Sequence, residues 1–165
     1  MKEILNIQSS LENNVFKWIE IAMWDTFSDQ LKGLFIRISL LEHLSPGLLE
    51  ILIGEDSGLK DEFEQQSASV TFRKCINAYM MIQPLFLDYV KTKQVMLSED
   101  EKRETYLAAA TWSEQNNYLI DALIYYEKIG DQKSEDTVME KIDRRIASNG
   151  KVLSGLWDNQ MACIA

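Results

Sequence analysis

Proline and glycine are scarce in this sequence of 165 residues, which holds two prolines and seven glycines. Since both residues interrupt helices, their scarcity favours a chain that is mostly helical. The two prolines, Pro46 and Pro84, each stand where a helix is predicted to begin. A proline is tolerated at the first helical position because the N–H group that it lacks would have no partner there.

Residues that carry out chemistry are scarce as well. There are two cysteines, Cys75 and Cys163, and one histidine, His43. No CxxC pair or Cys/His cluster indicates a zinc site, and both cysteines are expected to be ordinary thiols. Serine, cysteine and histidine do not cluster as a nucleophile and its base would, and no GxxxxGK[ST] phosphate loop occurs. The chain is therefore not expected to be an enzyme or to hold a cofactor or metal of its own.

Long apolar runs are missing too. No stretch approaches the roughly 18 apolar residues that cross a membrane. Residues 1–14 lack the apolar core and cleavage site of a signal peptide. The sequence therefore predicts a cytoplasmic protein with no membrane partner. Its net charge of −9 also disfavours nucleic acid, because affinity for phosphates depends on lysine and arginine.

Amphipathic helical patterns are abundant, and the clearest covers residues 106–131. A first helix carrying Trp112 ends at Asn116 and Asn117, and a second helix ends at Gly130, a residue suited to the left-handed position after a helix. The pattern predicts either an ordinary helical hairpin with an aromatic core or one tetratricopeptide-like repeat of a solenoid. The apolar stripe of the second helix consists of Leu119, Ala122, Leu123 and Tyr126, and the small residues expected where the helices cross are Ala109, Ala110 and Ala122.

Serines mark the predicted starts of several helices. Ser28, Ser45 and Ser57 are each predicted to cap a helix, and Ser98 with Glu101 has the spacing of a capping box. On the first predicted helix, the spacing of apolar residues predicts a wide buried face. That face comprises Val15, Trp18, Ile19, Ala22 and Met23.

Two further patterns lie before and after the central hairpin. Residues 69–73 and 79–82 are rich in alternating or β-branched residues, and they are predicted to pair as a β-hairpin. After Gly130, a last helix is predicted to turn Val138, Ile142 and Ile146 inward and to end at residues 149–150.

Three phrases, in order, resemble the large ATP-dependent LuxR-type transcription regulators related to the maltose activator MalT, within the STAND class. Residues 34–54 read LFIRISLLEHLSPGLLEILIG, close to the family's "FLLRTSVLERLSPELCDALTG". Residues 79–90 read YMMIQPLFLDYV, against the family's "YRFHPLFREFL", with Gln83 in place of the usual histidine. Residues 106–131 line up with the family's "LHRRAAEWLAEHGLPEEAIEHALAAGD" through Trp112 and the Gly-Asp that ends the segment.

The resemblance implies a mostly α fold with four parts. A polar lead over residues 1–12 precedes a winged-helix domain over 13–97 with a small β-hairpin. A tetratricopeptide-like helical-repeat arm over 98–148 follows, and residues 149–165 form a tail. The implied function is regulatory: the segment couples a nucleotide-binding domain, absent here, to a helical sensor arm. ATP or ADP would bind the parent protein's ATPase, and DNA would bind only through a C-terminal domain that is also absent.

The resemblance also implies partners and candidate site residues. His43 is a candidate nucleotide contact, although a structural or solvated role is more common for a lone histidine in a turn. The arm is expected to receive an inducer, a protein partner or the parent's own domains. Predicted partner contacts are Trp112, Tyr125, Leu153, Leu156 and Trp157.

Two other functions remain open. One is a stand-alone helical-repeat scaffold that binds a protein. The other is a DNA-binding winged-helix repressor. Charge disfavours the repressor, because residues 59–66, the candidate recognition helix, hold one lysine against three acids.

Overall fold

Helices make up most of the part of the chain that the computed structural model describes, which is residues 14–67, 73–74 and 80–162. The predicted mostly helical fold is therefore confirmed. Helix α1 covers residues 14–22, and the others are α2 (Asp29–Ile38), α3 (Pro46–Ile53), α4 (Ser57–Ser67), α5 (Pro84–Lys91), α6 (Glu99–Gln115), α7 (Leu119–Ile129) and α8 (Gln132–Ala162). Two strands, β1 (Arg73–Lys74) and β2 (Met80–Met81), and two 3-10 turns, Trp24–Thr26 and Gln94–Met96, complete the described elements.

Side-chain caps set where several helices begin. The Oγ of Ser28 accepts from the backbone N–H of Leu31, and the Oγ of Ser45 accepts from that of Leu48, each at 3.1 Å. The capping box of α6 also forms, since Ser98 N–H donates to the Glu101 carboxylate at 2.8 Å. These predicted caps are confirmed because they depend only on residues within one helical turn.

The predicted cap of α4 was wrong by one residue. Ser57 is the first residue of the helix, and the Oδ1 of Asp56 accepts from the N–H of Leu59 at 3.0 Å. Aspartate and serine are equally good caps, so adjacent candidates cannot be ranked by residue type alone.

The chain divides into two units, unit 1 over Met1–Ala108 and unit 2 over Ala109–Ala165. The boundary between the two units lies inside α6, and the domain boundary predicted at 97/98 stays a prediction. The first half of α6 belongs with unit 1 because Thr105 is fully buried there and accepts a hydrogen bond from the Arg37 Nε of α2 at 3.1 Å.

Unit 1 has an aromatic core centred on Phe35, which is fully buried. Its ring lies 5.2 Å from that of Phe86 in an edge-to-face arrangement and 5.5 Å from that of Phe27. The ring centroid of Phe63 in α4 lies 5.9 Å from that of Phe35. Buried aromatic rings stabilise the fold through the apolar area that they remove from water and through their favourable edge-to-face contacts.

The buried face of α1 differs from the prediction. Ile19 is buried as expected, but Trp18 is 64% exposed and Ala22 is exposed too. Instead, Phe16 turns inward and its ring lies 5.7 Å from that of Tyr89. Both faces of this helix carry apolar residues, so helical spacing alone does not indicate which of them meets the core.

The described strands are short. Arg73 pairs with Met81 and Lys74 with Met80 in an antiparallel ladder, and Leu44 forms an isolated antiparallel bridge with Met80. The rest of the predicted hairpin, residues 69–72 and 75–79, lies outside the described residues. A winged-helix domain is not established by this ladder and remains a prediction.

Unit 2 contains the hairpin of α7 and α8. Gly130 joins the two helices in the left-handed conformation, with φ 67° and ψ 32°, as its sequence position predicted. Ala109, Ala110 and Ala122 are fully buried, consistent with the close approach of helices at small residues. Helix α8 continues through residues 149–150, where an end was predicted, because a glycine within a helix costs only about 1 kcal/mol.

Candidate functional site: an apolar groove on unit 2

Unit 2 carries an open groove between the start of α7 and the middle of α8. Its volume is about 260 Å³. The side chains along it are mainly aliphatic, with one amide and one guanidinium. The unit 2 groove is defined by Asn117, Leu119, Ile120, Ile142, Arg145 and Ile146.

The groove exists because burial along α8 is graded. Val138 is fully buried, Ile142 is half-buried and Ile146 is 65% exposed. The expectation that Ile146 faces inward was therefore wrong. Helix α7 begins at Leu119, which lines the same groove as Ile142 and Ile146. Helix α8 therefore presents apolar side chains beside the point where α7 starts.

Helix α7 adds a second uncovered apolar side chain to the groove. Leu119 is 7% exposed, whereas its neighbour Ile120 is 60% exposed. Scattered apolar residues on a surface are ordinary, but Ile120 and Ile146 line one cavity together. The groove is therefore an apolar surface on which two isoleucine side chains are mostly exposed to solvent.

Arg145 differs in its charge partners from two neighbouring cations of α8. The Nζ of Lys141 lies 2.6 Å from the Glu114 carboxylate, and Arg144 lies 2.8 Å from that of Glu140. The guanidinium of Arg145 has no hydrogen bond or ion pair within the part of the chain that the structure describes. It lines the apolar groove as a cation without a counter-charge there.

A polar contact in unit 2 joins side chains of three helices. Glu114 of α6 accepts hydrogen bonds from the Tyr126 hydroxyl of α7 at 2.8 Å and from the Lys141 Nζ of α8 at 2.6 Å. The hydrogen bond from Lys141 holds the pKa of Glu114 below its ordinary value, and burial raises the pKa of Tyr126. This contact links side chains of α6, α7 and α8 within unit 2.

The predicted partner contacts are placed differently from one another. Trp112 is half-buried, and its ring stacks on that of Tyr118 at 5.5 Å with an interplanar angle of 13°. Tyr125 is 1% exposed and packs in the core, so the structure does not support it as a surface contact. The side chains of Leu153, Leu156 and Trp157 lie outside the described residues.

His43 is exposed in the segment between α2 and α3, one residue before the Leu44 bridge. Nothing in unit 1 tests the proposed nucleotide contact, which stays a prediction. Across the described residues, no three His, Cys, Asp or Glu side chains are placed to share a metal ion. Within the same residues, no helix combines the length and hydropathy that a bilayer crossing needs.

None of the six groove residues was among the site residues predicted from the sequence. Ile120 lies outside the stripe that was assigned to the buried face of α7, and Arg145 belongs to no predicted site. The available signal was an isoleucine off the main stripe in one helix and an isoleucine pair one turn apart, Ile142 and Ile146, in the next.

Comparison with known proteins returned no match to any family model, curated protein or solved structure.

Proposed function

We propose that this chain is a regulatory, signal-transmitting segment of a LuxR-type, MalT-like transcription regulator. In this proposal unit 1 is the winged-helix-like part, and unit 2 begins a helical arm that docks another protein surface. The observation that carries the proposal is the unit 2 groove, where Ile120 and Ile146 are uncovered on adjoining helices.

The energetics of the groove favour docking. Full burial of one isoleucine side chain contributes about 1.5 to 3 kcal/mol. Ile120 and Ile146 are each at least 60% exposed, so most of that free energy is available to a covering surface. In stacked helical repeats, an apolar face of this kind is where the next repeat or a partner protein packs.

The order of elements in unit 1 supports the winged-helix part of the proposal. Helix α2 is followed by the bridge residue Leu44, then α3, α4, β1 and β2. Met80 of β2 pairs with both Leu44 and Lys74, so β2 lies between its two partners. A winged helix is expected to pair the strand position after its first helix with its last strand, and the Leu44 bridge supports that part of the proposal.

The charge on α4 favours a signal-transmitting role for this segment over a DNA-binding role. Asp61 and Glu64 are exposed beside the single lysine, Lys60. The remaining acid, Glu62, accepts a hydrogen bond from the N–H of Ser28 at 2.9 Å. Acids on a recognition helix oppose binding to phosphates. A mobility shift of duplex DNA by this chain at physiological salt would support the DNA-binding repressor and overturn the signal-transmitting role.

Reading the gene on both sides of the segment tests the proposal directly. A phosphate-loop ATPase upstream and a helix-turn-helix downstream, in the same reading frame, are the expected result. Stop codons on both sides would overturn the signal-transmitting role. The stand-alone protein-binding scaffold would then be favoured, and the same groove supports it. ATP or ADP and DNA would then have no place in the function.

His43 enters the proposal as a nucleotide contact of the parent protein. Its support is an exposed position between α2 and α3. Replacing His43 with alanine in a chain that includes the ATPase is expected to speed nucleotide release. Unchanged retention of bound nucleotide would remove His43 from the site.

A further inference from the structure

We propose that the unit 2 groove binds an acidic amphipathic helix of a partner protein. Apolar side chains of that helix cover Ile120 and Ile146, and one of its carboxylates pairs with Arg145. This inference rests on the docking role proposed above and adds the chemistry of the partner.

The missing counter-charge of Arg145 selects a partner that carries a carboxylate at this point. The neighbouring cations Lys141 and Arg144 are already paired with glutamates. Arg145 has no such pair within the described residues, and it lines an apolar cavity. A surface laid over the isoleucines would remove water from its guanidinium, which then needs an acceptor, and carboxylates match its planar donors best.

The shape of the site selects a helix over a small molecule. A small apolar acid would fit within about 260 Å³, but it would leave uncovered the isoleucine surface that extends outside the cavity. Ile142 and Ile146 stand one helical turn apart, about 6 Å, the spacing at which a packed helix presents its own apolar residues. A partner helix lying along α8 would cover both the cavity and its rim.

A second copy of the chain fits the groove less well than a helix that carries a carboxylate. A symmetric pairing of two grooves would bring two arginines together. Self-association therefore offers Arg145 no counter-charge from the groove itself.

Fluorescence anisotropy with the full chain tests the proposal. The probe is a fluorescein-labelled peptide of about five helical turns, held helical by lactam bridges, with leucines one turn apart. Three versions place glutamate, glutamine or lysine beside the leucine stripe. The glutamate peptide is expected to bind at least about tenfold more tightly than the lysine peptide, as for a charge pair on a desolvated surface.

Substitutions assign the effect to the groove. Arg145→Glu is expected to reverse the order of the glutamate and lysine peptides, and Ile146→Asp to abolish binding of all three. Lys133→Glu is the matched control, since it reverses a charge on the same helix about 18 Å from Arg145. It is expected to preserve the order. Circular dichroism checks that each variant keeps its helix content; these side chains are exposed, so the fold is expected to persist.

The contrary outcomes are distinct. Equal binding of all three peptides, lost in Ile146→Asp, would overturn the acidic preference while the docking role stands. No peptide binding, stoichiometric binding of hexanoate in the groove, or dimers in sedimentation that Ile146→Asp dissolves would each overturn the proposed occupant. The reading-frame test of the proposed function is independent of all of these results.

Discussion

Arg37 of α2 donates from Nε to the Oγ1 of Thr105 of α6 at 3.1 Å, across 68 residues of sequence. The same hydroxyl donates to the carbonyl of Glu101 at 2.7 Å, so it acts as donor and acceptor at once. Thr105 is fully buried. This contact assigns the first half of α6 to unit 1.

Replacing Thr105 with valine keeps the side-chain shape and removes the acceptor of Arg37. We expect a loss of about 1 to 2 kcal/mol in the free energy of unfolding, because a partly buried cationic donor is left without its acceptor. Urea unfolding followed by circular dichroism measures it. Thr137→Val is the control, since that exposed hydroxyl bonds only to the Lys133 carbonyl of its own helix. Equal effects at both positions would show that the contact with Arg37 contributes nothing.

Glu114 is expected to make unit 2 sensitive to acid. Its pKa is lowered in the folded chain from the ordinary 4.5, chiefly by the hydrogen bond from Lys141. The stabilisation is therefore present above the ordinary carboxyl pKa and is lost as pH falls through the lowered one. Because Lys141 is 45% exposed, we expect Glu114→Gln to cost only about 0.5 to 1 kcal/mol near pH 7.

Urea midpoints near pH 7 and in acid, below the lowered pKa, test this dependence. The difference between wild type and Glu114→Gln should shrink in acid, where the wild-type carboxyl is protonated. Glu127→Gln, an exposed acid on α7, is the control. A difference that stays constant with pH would contradict the role assigned to ionised Glu114.

Two glycines should respond to alanine with opposite signs. Gly130 has φ 67° and an added Cβ would meet nothing within 4 Å, so its substitution tests backbone conformation alone. We expect Gly130→Ala to destabilise by about 1 to 2 kcal/mol. Gly33 lies inside α2 with the same open surroundings, and Gly33→Ala should stabilise by about 0.5 to 1 kcal/mol. Thermal unfolding measures both; a shift of the same sign in the two variants would contradict the left-handed position of Gly130.

Enlarging Ala122 should separate close helix packing from simple apolar burial. The residue is fully buried where α7 packs, so Ala122→Leu is expected to cost about 1 to 3 kcal/mol through overpacking. Glu127→Leu adds the same side chain at an exposed position of the same helix and should change stability by less than about 0.5 kcal/mol. A stabilising Ala122→Leu would mean that unit 2 has room at this helix crossing.

Local signals in the sequence predicted well wherever the physics is local. The caps at Ser28, Ser45 and Ser98 and the left-handed Gly130 depend on residues within one turn of each other. The sequence could not rank Asp56 against Ser57 as the cap of α4, since both have the required acceptor.

The groove itself was not predicted from the sequence. The helices that form it were expected, but Ile146 was assigned to the core and Arg145 to no site. Tyr125 was assigned to a partner surface, yet it is buried. Spacing shows that a helix has an apolar face, but the exposed fraction of each residue depends on how far the neighbouring helix extends.

By itself, the sequence determined the mostly helical class, the positions of several helix ends and the small residues at helix crossings, because these depend on propensity and short-range hydrogen bonds. The tertiary structure decided which face of α1 meets the core, that α6 begins in unit 1, and that Ile120, Ile146 and Arg145 share one groove. Those outcomes depend on contacts between residues far apart in the chain, such as Arg37 with Thr105, and helical periodicity carries no information about them.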